Sequence, residues 1–138
     1  TPPLHGNGIS WAGFAHFGFL GNPNRCPAIA GPQFIARNGT QLPTPNDDFA
    51  ADVMASDLAH LLSVVVTNPY PDISYLNDRW YDRYGLENAD KCTGTFGTTF
   101  TTANGARANV TWGGHNYLVQ QNWVNDRKGR CAMQLYQF

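Results

Sequence analysis

The sequence predicts an α+β domain in which one long buried helix packs on antiparallel β hairpins, with long ordered loops between them. Two observations support this class. Residues 46–66 carry apolar side chains at helical spacing without an internal Pro or Gly. Further on, "TTFTTANGARANVTW" places strand-forming residues on both sides of an Asn-Gly turn. A chain of 138 residues is long enough for one such domain, which we expect to span residues 1–138.

The first third of the chain predicts one strand and then a loop. "AHFGFL" is a short apolar run that ends at a Gly-Asn-Pro turn, which is typical of a buried strand. "AIAGPQFIARNGTQLPTPND" follows, and its Pro and Gly residues exclude a long regular element. We therefore expect an ordered loop over residues 28–47.

The predicted helix begins at Asn46 as N-cap, with Asp47 and Asp48 in the first turn, where the helix dipole favours acids. It ends near Val66, because "TNPYP" follows. Two stripes are apolar enough to face a core, so we expect a largely buried helix. One consists of Met54, Leu58, Leu61, Leu62 and Val65. The other consists of Val53, Asp57, His60 and Val64, and it is the face that a catalytic site would use.

Beyond an irregular segment over residues 70–92, the chain predicts antiparallel β structure. The Asn-Gly hairpin comes first. "NYLVQQNWV" then alternates apolar and polar residues, and "NDRKG" turns the chain into "RCAMQLYQF".

Composition and charge favour an extracellular domain. Charged residues make up 14% of the chain, against about a quarter in an average soluble protein, and the net charge is −1. A chain without a basic field is a poor candidate for nucleic-acid binding. No apolar run approaches the roughly twenty residues that span a membrane, and "TPPLHGNG" at the start of the sequence has neither the basic nor the apolar part of a signal peptide. We expect a secreted, extracellular protein whose signal has been removed.

Three cysteines and two glycosylation sequons fit that location. A disulfide between Cys92 and Cys131 is the preferred pairing, which leaves Cys26 free or paired with another chain. A CxxC zinc motif is absent from the sequence. The sequons are "NGT" at Asn38 and "NVT" at Asn109, so we expect a glycoprotein.

The helix segment "DLAHLLSVVVTNP" is similar to the active-site helix of a metallopeptidase that has lost its chemistry. Such a helix carries a His, a Glu directly after it as base, and a second metal ligand one turn later. Here His60 is present, but Leu61 stands at the position of the base and Val64 at that of the second ligand.

Three stretches resemble the phosphate-induced protein family, which includes the EXORDIUM-like proteins of plants and microbial secreted relatives. They are "FGFLGNPNRCP", "DVMASDLAHLLSVVVTNP", and "WYDRYGLENADKCTGTFG" followed by "TTANGARANVTWGGHNYLVQQNWVNDRKGRCAM". Order, spacing and turn residues agree from about residue 15 to residue 133. This resemblance implies a zincin-like scaffold, with His60, Glu87 and Asp90 as the metal ligands if a metal is bound. It also implies that the chain is the C-terminal portion of the family domain.

The resemblance also bears on the partner of Cys26. Many family members have a second cysteine shortly after the one matching Cys26, and here Ala30 stands at that position. We therefore expect that Cys26 can pair with a separate chain.

An alternative to the metal interpretation is that His60 is a core His bonded to a carboxylate such as Glu87, with Glu87 and Asp90 anchoring the loop before Cys92.

A dense aromatic and charged cluster follows the helix. Its members Arg79, Trp80, Tyr81 and Tyr84 either pack a loop or form a surface for carbohydrate or for a partner protein.

Three functions are left by the sequence. The first is a secreted, non-catalytic binding or signalling protein on a degenerate metallopeptidase-like scaffold, without a cofactor and with a carbohydrate or cell-wall ligand. The second is a metal-dependent hydrolase, with zinc held by His60, Glu87 and either Asp90 or Asp57. The weakest is a nuclease or other hydrolase built on His115, which the acidic pI and the absence of a phosphate-binding motif disfavour.

Overall fold

The longest element in the computed structural model is the helix α2, Phe49–Thr67. The structure describes residues 5–10, 15–68, 80–126 and 128–133. Asp48 is the N-cap of α2, and its Oδ1 accepts a hydrogen bond from the backbone N–H of Ala51 at 3.0 Å. The helix ends one residue beyond the predicted Val66, and the N–H of its C-cap Asn68 donates to the carbonyl of Val64 at 2.8 Å.

The prediction of Asn46 as N-cap is wrong by two residues. Asn46 lies in the preceding loop, where its backbone N–H donates to Asp52 Oδ2 at 2.8 Å and its side-chain amide donates to Asp52 Oδ1. The same amide donates to the carbonyl of Asn116 at 2.8 Å. Asp52 is 4% exposed, and a buried carboxylate needs hydrogen-bond donors. Asn46 supplies them and is therefore unavailable for capping.

The predicted inward stripe of α2 is wrong at two of its five positions. Leu58 is 44% exposed and Leu62 is 55% exposed. The apolar residues that α2 buries are instead Phe49, Val53, Leu61 and Val64. Apolar side chains occupy most of the helix circumference, so the sequence period does not reveal which side meets the core. The helix is therefore half-buried and not largely buried.

By length and composition, α2 is the one helix in the described part of the chain that could cross a membrane. The sequence prediction that no such run exists is thus too strict. The same criterion is met by core helices of globular domains, and Asp52 of α2 is bonded inside the protein.

The core lies between α2, the loop that precedes it and the segment after the second C-terminal hairpin. Its buried members are Ala30, Phe34, Phe49, Val53 and Leu118. The Phe34 and Phe49 rings meet edge to face, with centroids 6.4 Å apart. Ile35 and Phe96 pack against this cluster from its rim.

The predicted loop over residues 28–47 is built from short turns. It contains a four-residue helix, α1 (Pro27–Ala30), a 3-10 turn over Pro32–Phe34, and an isolated bridge between Ile35 and Gln41. The prolines at the first positions of both short helices explain why no longer helix forms there.

Eight short strands form four separate two-stranded antiparallel sheets in the described part of the chain. In chain order they are β1 (His5–Ser10), β2 (Ala15–Leu20), β3 (Phe100–Thr101), β4 (Arg107–Ala108), β5 (Val110–Trp112), β6 (His115–Tyr117), β7 (Asn122–Val124) and β8 (Arg130–Ala132). The pairs are β1 with β2, β3 with β4, β5 with β6, and β7 with β8. One long helix with antiparallel strand pairs confirms the predicted α+β class.

The first hairpin, β1–β2, contacts α2. Strand β2 was predicted from "AHFGFL", whereas β1 was not predicted. The interpretation of β2 as buried is wrong at Phe19, which is 62% exposed.

The C-terminal hairpins follow the predicted turns. Asn104 and Gly105 lie in the β3–β4 turn, where Gly105 has a φ of +84°. Strands β7 and β8 pair antiparallel, as expected. The single strand expected over residues 116–124 is divided into β6 and β7, because Leu118 between them turns into the core and is 2% exposed.

A disulfide joins Cys92 to Cys131, as predicted, and thereby ties the 3-10 turn Asp90–Cys92 to strand β8. Cys26 is a free, half-buried thiol in this chain. Of the segment predicted to be irregular, residues 80–92 consist of turns and this 3-10 helix, and residues 70–79 lie outside the described part.

Candidate functional site

An open cleft of about 790 Å³ lies beside one face of α2. Four parts of the chain form its walls: the loop from Ile29 to Leu42, one turn of α2, the segment from Asp90 to Phe96, and two residues of the C-terminal hairpin region, Arg107 and Gln120. A cleft of this size is typical of small-molecule sites in proteins. We call it the α2 cleft.

The α2 turn contributes Ser56, Asp57 and His60 to the cleft. Positions 56, 57 and 60 lie on one side of a helix, since residues three and four apart are neighbours. Asp57 and His60 belong to the stripe that the sequence assigned to a catalytic face. The other two members of that stripe, Val53 and Val64, are 0% and 5% exposed and lie in the interior.

His60 and Asp90, both of which line the cleft, lie in direct contact. His60 Nε2 lies 3.3 Å from Asp90 Oδ1, and the two side chains are 14% and 38% exposed. The other carboxylate oxygen of Asp90 accepts the backbone N–H of Glu87 at 3.2 Å. Asp90 therefore anchors its own loop, as the loop-anchoring interpretation predicted, and also orients the imidazole.

Glu87 does not take the role that the sequence suggested for it beside His60. Its Oε1 accepts a short hydrogen bond from the side-chain amide of Asn68, which also donates to the Tyr81 hydroxyl at 3.0 Å. Asn68 is 1% exposed and caps α2, so Glu87 fastens the end of the helix to the loop after it.

The proposed zinc ligands are thus divided between two places. His60 and Asp90 meet in the α2 cleft, whereas Glu87 binds Asn68. Over the described ranges, no three His, Cys, Asp or Glu side chains converge on one point. A catalytic zinc has three protein ligands. Asp57, the alternative ligand, lines the same cleft as His60 and Asp90, and the zinc site stays a prediction. Leu61 and Val64, which replace the base and the second ligand, are each 5% exposed and pack in the interior.

Two arginines are among the residues that line the cleft. Arg37 comes from the loop before the helix and Arg107 from β4, and both are exposed. The described part of the chain contains three ion pairs, His60–Asp90, Lys91–Asp82 and Arg130–Asp126, and neither arginine takes part in them.

Two glutamines and a group of apolar side chains complete the lining. Gln120 donates from Nε2 to the carbonyl of Ala89 at 2.8 Å, which fixes its amide plane, and Gln33 is also part of the lining. The apolar lining includes Ile29, 72% exposed, and Leu42, 39% exposed, together with the half-buried Phe96. The cleft therefore combines exposed aliphatic side chains with planar hydrogen-bonding groups.

The aromatic cluster proposed as a binding surface is only partly available. Arg79 lies outside the described residues, and Trp80 is half-buried. The hydroxyl of Tyr81 is bonded to Asn68. Tyr84 is 73% exposed, and the Arg83 guanidinium carbon lies 4.8 Å from its ring centroid.

Asp82 braces the loop that carries this cluster. Its carboxylate accepts the Lys91 ammonium at 2.9 Å and the backbone N–H groups of Tyr84 and Leu86 at 2.8 and 3.1 Å. The hydrogen bond from Lys91 and those from the backbone lower the pKa of Asp82 below its ordinary value, against a smaller opposing effect of burial. Lys91 Nζ also lies 4.3 Å from the centroid of the Trp123 ring, so it connects this loop to β7.

The two sequon asparagines have very different surroundings. Asn38 is exposed in a turn, where its Oδ1 accepts the N–H of Thr40 at 3.0 Å. Asn109 donates from its side-chain nitrogen to the carbonyls of Phe96 and Val119, both at 2.7 Å, and accepts the N–H of Val119 at 2.9 Å. A glycan on that nitrogen would replace one of its two donor hydrogens.

His115 lies away from the α2 cleft. Its Nδ1 is 3.3 Å from Asn46 Oδ1, on the side of the molecule where Asn46 joins Asp52 to β6. This contact gives His115 a structural partner, and the described surroundings place no nucleophile beside it in a hydrogen bond.

The comparison with known families decides where the chain belongs. The family described as the phosphate-induced protein 1 conserved region matches residues 10–133, which is most of the chain. The chain is a member of the phosphate-induced protein 1 family. Neither the curated proteins nor the solved structures include a significant match.

The conserved region of the phosphate-induced protein 1 family contains every residue that lines the α2 cleft, from Ile29 to Gln120. It also contains both cysteines of the disulfide. The cleft is therefore part of the domain that defines the family and not of a segment appended to it.

Sequence reasoning found Asp57, His60 and Asp90 but missed the other polar residues of the cleft, which are Gln33, Arg37, Ser56, Thr93, Arg107 and Gln120. Apart from Ser56 of α2, these come from separate loops and a two-residue strand. They share no spacing or motif, so only the folded chain brings them together.

Proposed function

We propose that this member of the phosphate-induced protein 1 family is a secreted, non-catalytic binding protein that holds an oligosaccharide in the α2 cleft. The observation that carries the proposal is the lining of this cleft, where exposed apolar side chains lie beside amide, guanidinium and carboxylate groups. Sugar rings have apolar faces and hydroxyl edges, and they need both kinds of contact.

The interior position of Leu61 and Val64 supports binding over catalysis. A hydrolytic metal site needs a base and a further ligand near His60, and at the positions expected for them the chain has buried hydrocarbon. In a binding site the pair of His60 and Asp90 has a different use, since it presents an oriented imidazole at the edge of the cleft.

Location outside the cell is supported by the disulfide and by the exposed sequon. Disulfides persist in oxidising compartments, and the Cys92–Cys131 bond closes within this chain. Asn38 stands on an exposed turn, where its side chain is accessible to a glycan.

Calorimetric titration with a panel of cell-wall oligosaccharides tests the proposal. The cleft variant Ile29→Ser and the matched control Leu62→Ser each remove one exposed aliphatic side chain, the first inside the cleft and the second on α2 outside it. We expect Ile29→Ser to weaken binding about threefold to tenfold, as loss of a buried aliphatic contact does, and Leu62→Ser to leave it unchanged. Equal affinities of the two variants, or no binding by the parent protein, would contradict the proposal.

The aromatic cluster near Tyr84 is the rival surface. The variant Tyr84→Ala removes its most exposed ring without touching the cleft. Loss of affinity in Tyr84→Ala and not in Ile29→Ser would transfer the binding role to that cluster.

A metal-dependent hydrolase is the second candidate, because His60 and Asp90 do meet in a cleft large enough for a substrate. Metal analysis of protein purified without chelator tests it. Stoichiometric zinc that is lost in His60→Ala, together with hydrolysis of the bound oligosaccharide, would favour this candidate over the binding protein.

A further inference from the structure

Resting on the proposed function, we propose that the oligosaccharide of the α2 cleft is acidic, with its carboxylates held by Arg37 and Arg107. The ligand class is a chain of uronic acid residues. The juxtaposition that points to it is two guanidinium groups on the same cleft, from the loop before α2 and from β4, neither of which has an ion-pair partner among the described residues.

The acidic side chains of the cleft are engaged within the protein. Asp90 directs one oxygen to His60 and the other to the backbone N–H of Glu87. Asp57 also has an interaction partner. Asp90 thus has partners within the chain, whereas Arg37 and Arg107 belong to none of the ion pairs among the described residues. Their guanidinium groups can therefore bind an anionic ligand.

Guanidinium groups suit carboxylates better than neutral hydroxyls. Arg offers parallel N–H donors that match the two oxygens of a carboxylate, and charge-assisted bonds of this kind are about twice as strong as neutral ones. In a uronic acid chain, each sugar ring also brings an apolar face, for which Ile29 and Leu42 are available in the same cleft. Phosphate would satisfy the arginines but would leave this apolar wall without a contact.

The matched probe is an oligogalacturonate compared with its methyl ester, which has the same rings and no charge. We expect the acid to bind on the order of fivefold to twentyfold more tightly than the ester, because two exposed charge pairs are each worth up to about 1 kcal/mol. Raising the ionic strength from about 0.01 M to about 0.15 M shortens the screening length from about 30 to about 8 Å, so the preference shrinks. Inorganic phosphate serves as a third ligand and should bind much more weakly than the acid.

The variants are Arg37→Gln and Arg107→Gln, with Arg25→Gln as control. Arg25 is exposed, carries the same charge and does not line the cleft. Each cleft variant should weaken binding of the acid about fivefold and leave binding of the ester unchanged, while the control behaves like the parent protein.

Equal affinity for acid and ester, with Ile29→Ser still weakening both, would overturn the acidic-ligand proposal and leave the proposed function intact. A comparable loss in Arg25→Gln would also overturn it, since the effect would then come from net charge alone. If phosphate binds as tightly as the acid, the cleft recognises the anion and not the sugar, which likewise overturns it. If neither sugar binds, the proposed function fails as well.

Discussion

At the scale of single residues, two asparagine side chains hold strands where the backbone itself does not. Asn88 donates from Nδ2 to the carbonyl of Trp123 at 2.8 Å and accepts its N–H at 3.1 Å, and Asn109 makes the equivalent pair with Val119. An amide side chain has the same donor and acceptor as a peptide group. These side chains therefore extend the hydrogen bonding of two-residue and three-residue strands.

This use of Asn109 leads to a prediction about glycosylation. In a eukaryotic secretory host, we expect glycan at Asn38 and none at Asn109, because the Asn109 nitrogen is bonded to two backbone carbonyls in the folded chain. Peptide mapping with and without glycosidase measures the occupancy of each site. Complete occupancy at Asn109 in folded protein would show that this hydrogen-bonded geometry is not maintained.

Asp82 gives a prediction about acid stability. The bond from Lys91 lowers the pKa of Asp82 in the folded chain, so folding favours the ionised form. The stabilisation is fully present above the unfolded value of about 4 and is lost as the pH falls through the folded value below it.

Urea unfolding of the parent protein and of Asp82→Asn measures this contribution. The variant should be less stable than the parent at neutral pH, and the difference should shrink well below about pH 4. Asp126→Asn is the control, since Asp126 pairs with Arg130 on the surface with both side chains about half exposed. A difference between Asp82→Asn and the parent that stays constant with pH would refute the assignment.

At the scale of elements, the close approach of the loop before α2 to the helix depends on the absence of a side chain at Gly31. A Cβ there would lie 2.5 Å from Val53 Cγ2 and 3.0 Å from Phe49 Cζ, both on the buried face of α2. Gly31 has an ordinary negative φ of −129°, so the requirement for glycine comes from space and not from backbone strain.

We therefore expect Gly31→Ala to destabilise the fold by about 1–3 kcal/mol, as overpacking of a core does. The exposed neighbour Ala28 provides the control, and Ala28→Ser should change the free energy of unfolding by less than about 0.5 kcal/mol. Thermal or urea denaturation of both variants measures the difference. If Gly31→Ala is as stable as the parent, the loop before α2 is not packed as closely as described.

The disulfide is the second feature at this scale. It fastens the turn that carries Asp90 to the last hairpin, and so it holds one wall of the α2 cleft. The two cysteines are 39 positions apart in sequence. In the chain-entropy model, a disulfide that closes a loop of this length raises the free energy of unfolding by about 3–4 kcal/mol.

The double variant Cys92→Ser/Cys131→Ser should therefore lose about that amount of unfolding free energy, or fail to fold at 37 °C. Cys26→Ser, which removes a free thiol, should remain close to the parent protein. A double variant as stable as Cys26→Ser would contradict a structural role for the bond.

At the scale of the whole molecule, the sequence predicts what depends on local chemistry. The Asn-Gly turn fixes the β3–β4 hairpin, and the Asn-Pro pair fixes the end of α2 to within one residue. The cysteine pairing was also predicted correctly. The turn and the end of the helix are determined by residues close to them in sequence. The cysteine pairing could be predicted because three cysteines allow only three pairs.

Features that depend on distant contacts were not predicted. The buried face of α2 is chosen by Phe34 and Leu118, which lie outside the helix in sequence. Asp90, and not Glu87, contacts His60, because the buried side-chain amide of Asn68 binds Glu87. The two arginines of the cleft are about 70 positions apart in sequence, since Arg37 lies in a loop and Arg107 in a two-residue strand. A resemblance to the family marks the domain but not these contacts, and the likeness to a zincin scaffold stays a prediction.

The central claim is that the α2 cleft binds an oligosaccharide without cutting it. A nuclear magnetic resonance titration of ¹⁵N-labelled protein with an oligogalacturonate tests this most directly, because it locates the ligand and leaves it available for analysis of its chain length. The account predicts shifts of the amides around Ala36, Gly94 and Gln120 and an oligosaccharide recovered at its original length. Shifts confined to the loop of Tyr84, or recovery of shortened sugar, would contradict it.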